Sequence, residues 1–202
     1  MELFIVRHGE TLWNKGRRLQ GCTDICLSDK GRELAVKTGQ ALKNTAIDMI
    51  YSSPLSRAYE TACLIRGDRD IEIKTDERLK EICFGDMEGR VMDELSSDPQ
   101  SSFRFFFDEP EKYVPDKNGE SLQHLCERTA EFMEQVIIPQ SDTAERIMIV
   151  GHGAMNKSIM CYIKKHGTDK FWSGGLQKNC NVIIVRYSEG KFEVLEEEKI
   201  FY

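Results

Sequence analysis

Two imidazoles stand at the ends of two apolar runs. Leu3-Phe4-Ile5-Val6 leads into Arg7-His8-Gly9, and Ile147-Met148-Ile149-Val150 leads into Gly151-His152-Gly153. The chain has only four histidines, so two at matching positions, far apart in sequence, form a constellation rather than a scatter. A neutral imidazole can attack an electrophile or move a proton near neutral pH. The guanidinium of Arg7, beside His8, suits bidentate binding of a phosphate or carboxylate. Asn14 adds an amide to the same loop.

Three further stretches carry candidate chemistry. Ser53-Pro54 reads as a helix start, with Ser53 as N-cap and Pro54 at the first helical position. Arg57 then falls in the first turn, where the helix dipole disfavours a cation unless an anion is bound there. Glu81 precedes Ile82-Cys83-Phe84, and apolar company raises a carboxyl pKa if it desolvates the group. The alternative is an ordinary surface glutamate. The basic, glycine-punctuated stretch from Lys15 through Gln20 and Gly21 to Asp24 is either a solvated turn or the wall of an anion pocket. In the second case Gly21 leaves backbone N–H groups free to face a ligand.

The elements that must position these groups follow from the apolar pattern. Leu3–Val6 is continuous, branched and aromatic, as a strand buried on both faces requires. Chemistry that begins where such a strand ends lies at the carboxyl edge of a sheet. A helix is expected from about Asp29, a short strand over Asp48–Ser52, and an edge strand over Ile71–Lys74. Ser121 should cap a long amphipathic helix closed by Pro139. A helix over about Ala154–Lys165 should bury one face, carrying Ile159, Tyr162 and Ile163, and Ser188-Glu189-Gly190 should turn a terminal hairpin. Alternating strands and helices give an α/β protein, a three-layer α/β/α sandwich whose mostly parallel sheet has one antiparallel pair at its edge. Residues from about Val91 to Gly119 are irregular, and Phe103, Phe105, Phe106 and Phe107 there either pack a core or roof a site.

The 202 residues suit one domain, with the 91–119 stretch as an insertion. A net charge of −6 argues weakly against a nucleic-acid partner. No apolar run approaches the roughly 18 residues of a membrane span, and Arg7 interrupts the N-terminus too soon for a signal peptide. Seven cysteines without a framework read as reduced thiols in a cytoplasmic setting. Cys22 and Cys26 are close, but no second Cys/His pair accompanies them with zinc-site spacing.

Taken in order, Arg7-His8-Gly9-Glu10-Thr11 with Asn14, Gln20-Gly21, Ser53-Pro54-Leu55-Ser56-Arg57-Ala58 with Thr61-Ala62, Glu81, Gly85, Glu88-Gly89, Gly119-Glu120-Ser121 and Gly151-His152-Gly153 resemble the histidine phosphatase superfamily. The resemblance runs from residue 2 to about residue 165. It implies the phosphoglycerate mutase-like fold, with His8 as a nucleophile that carries a phosphoryl group. It also implies that Arg7, Arg57 and His152 bind phosphate with Asn14 assisting, that Glu81 gives a proton to the leaving group, and that Gln20, Gly21 and Gly153 line the substrate site. Phosphoryl transfer needs mainly positioning and charge neutralisation, which arginines can supply, so neither metal nor cofactor is expected. The substrate is expected to be a small phosphorylated metabolite.

The family contains phosphatases and mutases. Its mutases commonly follow the equivalent glutamate with Arg-His-Tyr, where this chain has Ile82-Cys83-Phe84. That difference favours a phosphomonoesterase over a cofactor-dependent phosphoglycerate mutase. A silent phosphate-binding module is the alternative from another class. Monomer and dimer are both left open.

Overall fold

The computed structural model describes residues 1–202. In chain order the regular elements are β1 (Glu2–Arg7), α1 (Leu12–Lys15), α2 (Asp29–Ala41), β2 (Met49–Ser52), α3 (Ser56–Arg66) and β3 (Ile73–Thr75). There follow α4 (Met92–Ser97), α5 (Leu122–Phe132), β4 (Arg146–Gly151), α6 (Gly153–Lys164), β5 (Val182–Ser188) and β6 (Lys191–Lys199). One six-stranded sheet has the order β3-β2-β4-β1-β5-β6. Strands β1 to β4 run parallel to one another. Two pairs are antiparallel rather than the one expected, because β5 lies beside β1 as well as β6.

Alternation along β1 sorts its side chains into two layers. Leu3 and Ile5 join a core with Leu125, Phe132, Met155 and Ile159 of α5 and α6. Phe4 and Val6 join a second core with Ala35, Ala58, Ala62 and Ile65 of α2 and α3. Each such large side chain stabilises the sandwich by about 1.5–3 kcal/mol relative to exposure. With both faces covered, side-chain chemistry is left to the strand ends.

Register brings the two histidine loops together. In the parallel β1–β4 pair Arg7 stands opposite Gly151. The next residue outward from each strand is His8 and His152, and His8 N–H donates to the Gly151 carbonyl at 2.9 Å. On the far side of β4, Ser52 pairs with Val150, which places Ser53 at the same edge.

Several local expectations need correction. Helix α3 starts at Ser56 with Leu55 as its N-cap, because the Ser53 hydroxyl accepts from Leu55 N–H (3.3 Å) and engages His152 instead. The α-helix after Ser121 ends at Phe132 and widens into a π-turn over Met133–Ile137, ahead of Pro139. Proline has no N–H to continue an α-helical ladder. Ten of the twelve residues of α6 are buried, rather than one face, since the segment after it folds back over the helix. Within 91–119, Phe103 and Phe106 are fully buried and stacked at 5.2 Å, whereas Phe107 is 36% exposed.

The reduced-thiol expectation is wrong at one place: Cys22 and Cys83 form a disulfide, their Cα atoms 4.9 Å apart. They are separated by 61 residues in sequence, so only the fold pairs them. The other five cysteines are unpaired, and Cys26, the near neighbour in sequence, is exposed. No helix is long and apolar enough to cross a membrane.

Candidate active site

His8 and His152 face each other at the carboxyl edge, ring centroids 5.2 Å apart. Both are buried, at 3% and 0% exposure. His8 Nδ1 lies 2.6 Å from the Gly9 carbonyl oxygen, an acceptor only, so the ring proton belongs on Nδ1 and the Nε2 lone pair is left available. Burial first, then Arg57 and Arg7, hold the His8 pKa well below the ordinary imidazole value of 6.5. Burial and the Arg57 charge do the same to His152. Two neutral imidazoles therefore sit among fixed cations.

Arg57 is fully buried on the first turn of α3. Its Nη1 donates to the Thr23 carbonyl (2.9 Å) and its Nη2 to the Gly21 carbonyl (2.7 Å). With the Gln20 amide turned so that its oxygen faces the guanidinium, Nε donates to Gln20 at 2.9 Å, and the Gln20 amide N–H meets Thr11 Oγ1. Every acceptor is neutral. Burial lowers the Arg57 pKa to about 10, opposed by Glu81, Asp24 and Glu88, so the cation persists at neutral pH. A buried guanidinium without a direct carboxylate partner calls for an anion.

Gly21 acts behind this guanidinium. A Cβ at Gly21 would stand 2.3 Å from Glu88 Oε1 and 2.5 Å from the Ile82 carbonyl oxygen. Gly21→Ala is therefore expected to destabilise the fold by about 1–3 kcal/mol through overpacking, and to weaken phosphate binding because the carbonyl that anchors Arg57 must shift. Denaturant unfolding together with phosphate affinity checks this; an alanine variant with wild-type values for both would refute it.

Arg7 donates from Nη1 to the Gln177 carbonyl at 2.5 Å, and its Nε has no partner. His152 Nε2 is 2.8 Å from Ser53 Oγ, and its Nδ1 has no partner either. Two polar atoms of one site thus lack partners, and an unsatisfied buried group costs about 1–3 kcal/mol. Asn14 and Thr11 cap α1 reciprocally, with the Asn14 oxygen accepting from Thr11 N–H at 3.1 Å.

Glu81 is 7% exposed. Its Oε1 accepts from the N–H groups of Ile82 (3.0 Å) and Met155 (2.9 Å), and Oε2 from Ala154 (3.1 Å). The carboxyl thus sits on the N-terminus of α6. Burial nonetheless raises its pKa above the ordinary glutamate value of 4.5, outweighing those three donors and Arg57. Arg7, Asn14, Gln20, Glu81 and Gly153 line one cavity of about 70 Å³, walled by Phe84, Phe106, Phe107, Trp172 and Leu176. His8, Arg57, His152 and Gly21 do not line it. A larger cavity of about 670 Å³, between α5, α6 and the hairpin, contains none of the expected site residues.

The pH dependence follows from these directions. The competent form would have His8 unprotonated and Glu81 protonated. Activity should fall toward acid only below the depressed His8 value, and toward alkali as Glu81 ionises above 4.5. The kcat/KM profile, corrected for ionisation of the substrate, is expected to have an acid limb well below 6.5 and an alkaline limb above 4.5. An acid limb centred near 6.5 would count against the assignment.

Other neighbours of the site do work that the sequence did not assign: Gln177 and Asn179 belong to none of the motifs, and Thr61 and Glu88 belong to motifs without an assigned role. Gln177 donates to the Ile5 and Asn181 carbonyls and receives Arg7 on its own carbonyl. Asn179 donates to the His8 carbonyl at 2.9 Å. Thr61 accepts from Gly9 N–H and donates to the Arg57 carbonyl. Glu88 accepts from the N–H groups of Cys22 (2.9 Å), Thr23 (2.7 Å) and Phe84 (3.0 Å). Cys22, Cys83 and Glu88 are also the group whose ligand atoms cluster within 4.8 Å. The two sulfurs are joined to each other and the carboxylate is held by backbone donors, so this trio is poorly suited to an ion.

The model of the histidine phosphatase superfamily (branch 1) matches residues 3–199. The chain belongs to that superfamily. It is 31% identical over 196 residues to phosphoserine phosphatase 1 of Hydrogenobacter thermophilus, covering 97% of this chain and 91% of that one. It is 36% identical over 160 residues to phosphoglycerate mutase-like protein 4 of Arabidopsis thaliana, covering 78% and 69%. Among solved structures, Bacillus stearothermophilus YhfR superposes with a TM-score of 0.90 at 36% identity, covering 100% and 99%. The chain's relatives thus include one named as a phosphatase and one named as mutase-like.

Proposed function

We propose that the protein is a metal-independent phosphomonoesterase that works through a phosphohistidine on His8. The observation that carries the reading is the buried cation–imidazole pocket. Arg57 meets only neutral acceptors, and His8 Nε2 is left unprotonated beside it. In this scheme Arg7, Arg57, His152 and Asn14 neutralise the phosphoryl oxygens. The unpartnered Arg7 Nε and His152 Nδ1 gain an acceptor when the anion arrives. Glu81 protonates the departing oxygen and, once ionised, draws a proton from the water that attacks the phosphohistidine.

The loop after Glu81 supports hydrolysis over mutase chemistry. Ile82 and Phe84 are buried in the core and Cys83 is committed to Cys22. None of the three offers a polar side chain to hold a sugar acid for phosphoryl return. The walls of Phe106, Phe107, Trp172 and Leu176 suit a small phosphorylated metabolite with an apolar body. In this reading the chain is one domain, the 91–119 segment covers the active site, and the enzyme works in the cytoplasm.

The test is release of inorganic phosphate from a panel of small phosphomonoesters, with chelator present. Turnover without metal supports the reading. Isomerisation of 3-phosphoglycerate that requires bisphosphoglycerate, with little phosphate released, would replace it with the mutase. Binding of phosphate without any turnover would leave the regulatory module.

A further inference from the structure

The Cys22–Cys83 disulfide joins the two loops on which the proposed chemistry depends. Cys22 lies between Gly21 and Thr23, whose carbonyls hold both terminal nitrogens of Arg57. Cys83 lies two residues beyond Glu81, just past Ile82, whose N–H holds the Glu81 carboxyl. The bond therefore fixes the backbone that aims the phosphate-binding cation relative to the backbone that aims the proton donor. Both cysteines are half-buried and line a cavity of about 550 Å³ that also exposes Glu120, His124 and Arg128. A thiol reagent can reach the bond through that cavity without crossing the core.

A second tie spans the same two loops. Glu88 accepts from Cys22 and Thr23 on one side and from Phe84 on the other. Opening the disulfide would leave this carboxylate clamp in place, so the loops would loosen rather than unfold. A bridge that can break without loss of the fold is suited to control. Disulfides in cytosolic proteins are mostly transient or redox-sensing.

We propose that Cys22 and Cys83 are a redox-modification site, in which reduction of their bond by a dithiol lowers activity by loosening Arg57 and Glu81. This rests on the phosphatase reading for its kinetic arm only. In the reaction a thiolate of the dithiol attacks one sulfur of the pair. The S–S bond breaks, and the other cysteine leaves as a thiolate that takes up a proton. The second thiol of the reagent then attacks the mixed disulfide, releasing the remaining cysteine. Two electrons and two protons pass to the enzyme, and the reagent ends as its own disulfide.

The first measurement is mass spectrometry after alkylation under denaturing conditions. Air-oxidised protein should take up alkyl groups on five cysteines, and dithiol-treated protein on all seven. Seven on the oxidised protein overturns the proposal. The second is calorimetric affinity for inorganic phosphate, which reports on Arg57 whether or not the protein turns over substrate. Oxidised wild type should bind more tightly than both reduced wild type and C22S/C83S. The third is kcat/KM, expected to fall on reduction by up to about tenfold, since small misplacements of catalytic groups cost rate steeply. The loss should be larger for an alkyl phosphate than for p-nitrophenyl phosphate, because only the former needs Glu81. C26S should keep the dithiol response and C22S/C83S should lose it. Equal phosphate affinity in both redox states, or a response that survives in C22S/C83S, overturns the proposal. Absence of any turnover, with the alkylation and affinity results intact, would refute the phosphatase reading alone.

Discussion

His8→Ala is expected to lower kcat by at least about 10⁴-fold, because the variant loses the atom that would form the covalent bond. The neighbours that bind the anion should stay in place. Arg57 is anchored by the carbonyls of Gly21 and Thr23 and by Gln20, not by His8. Arg7 is anchored by Gln177 and the turn by Thr61 through Gly9 N–H. Inorganic phosphate should therefore still bind while turnover vanishes. Acid-labile phosphoryl label should accumulate on the wild type during rapid-quench sampling and be absent from the alanine variant. A variant that kept more than about one per cent of the rate would exclude His8 as the sole nucleophile.

Glu81→Gln should slow hydrolysis of alkyl phosphates by about 10²–10⁴-fold, the range for loss of a positioned general acid. Release of p-nitrophenolate needs little protonation and should suffer much less. The contrast matters because the substitution also has a structural cost. Glu81 accepts three backbone N–H groups on two oxygens, and glutamine offers one oxygen and a donor. At least one N–H at the start of α6 would lose its acceptor, at about 1–3 kcal/mol. That cost lowers stability but cannot distinguish leaving groups. The alkaline limb of the pH profile for alkyl substrates should disappear as well, since the raised carboxyl that produces it is gone. Equal slowing of both substrate types would remove Glu81 from the role.

Much of the site was legible because its residues lie at changes of pattern. A buried strand gives way to Arg7-His8-Gly9 and another to Gly151-His152-Gly153, and a polar cluster there has no packing purpose. Arg57 was legible because a cation in the first turn of a helix is electrostatically misplaced without an anion. Glu81 was legible only as one of two alternatives, since apolar neighbours in sequence need not surround a side chain in space. Its burial came from the N-terminus of α6 closing over it. Of the two sequence readings of the Gly21 loop, a solvated turn or a pocket wall, the second has Gly21 offering N–H groups to a ligand. The structure instead uses its carbonyl and its lack of a side chain. Local sequence does not reveal that a Glu88 carboxylate will pack against it.

The sequence by itself determined which residues end the strands, which faces are apolar and which side chains carry charge. These depend on neighbours a few positions away, within reach of periodicity and capping. Tertiary structure alone decided that β4 lies between β1 and β2, so that two distant histidines leave adjacent strands at one level. Parallel strands buried on both faces present similar apolar surfaces and identical backbone groups, and their order is set by how the connecting helices pack. The same holds for Cys22 and Cys83. Their pairing depends on two loops meeting across 61 residues, and nothing in the spacing of thiols encodes that approach.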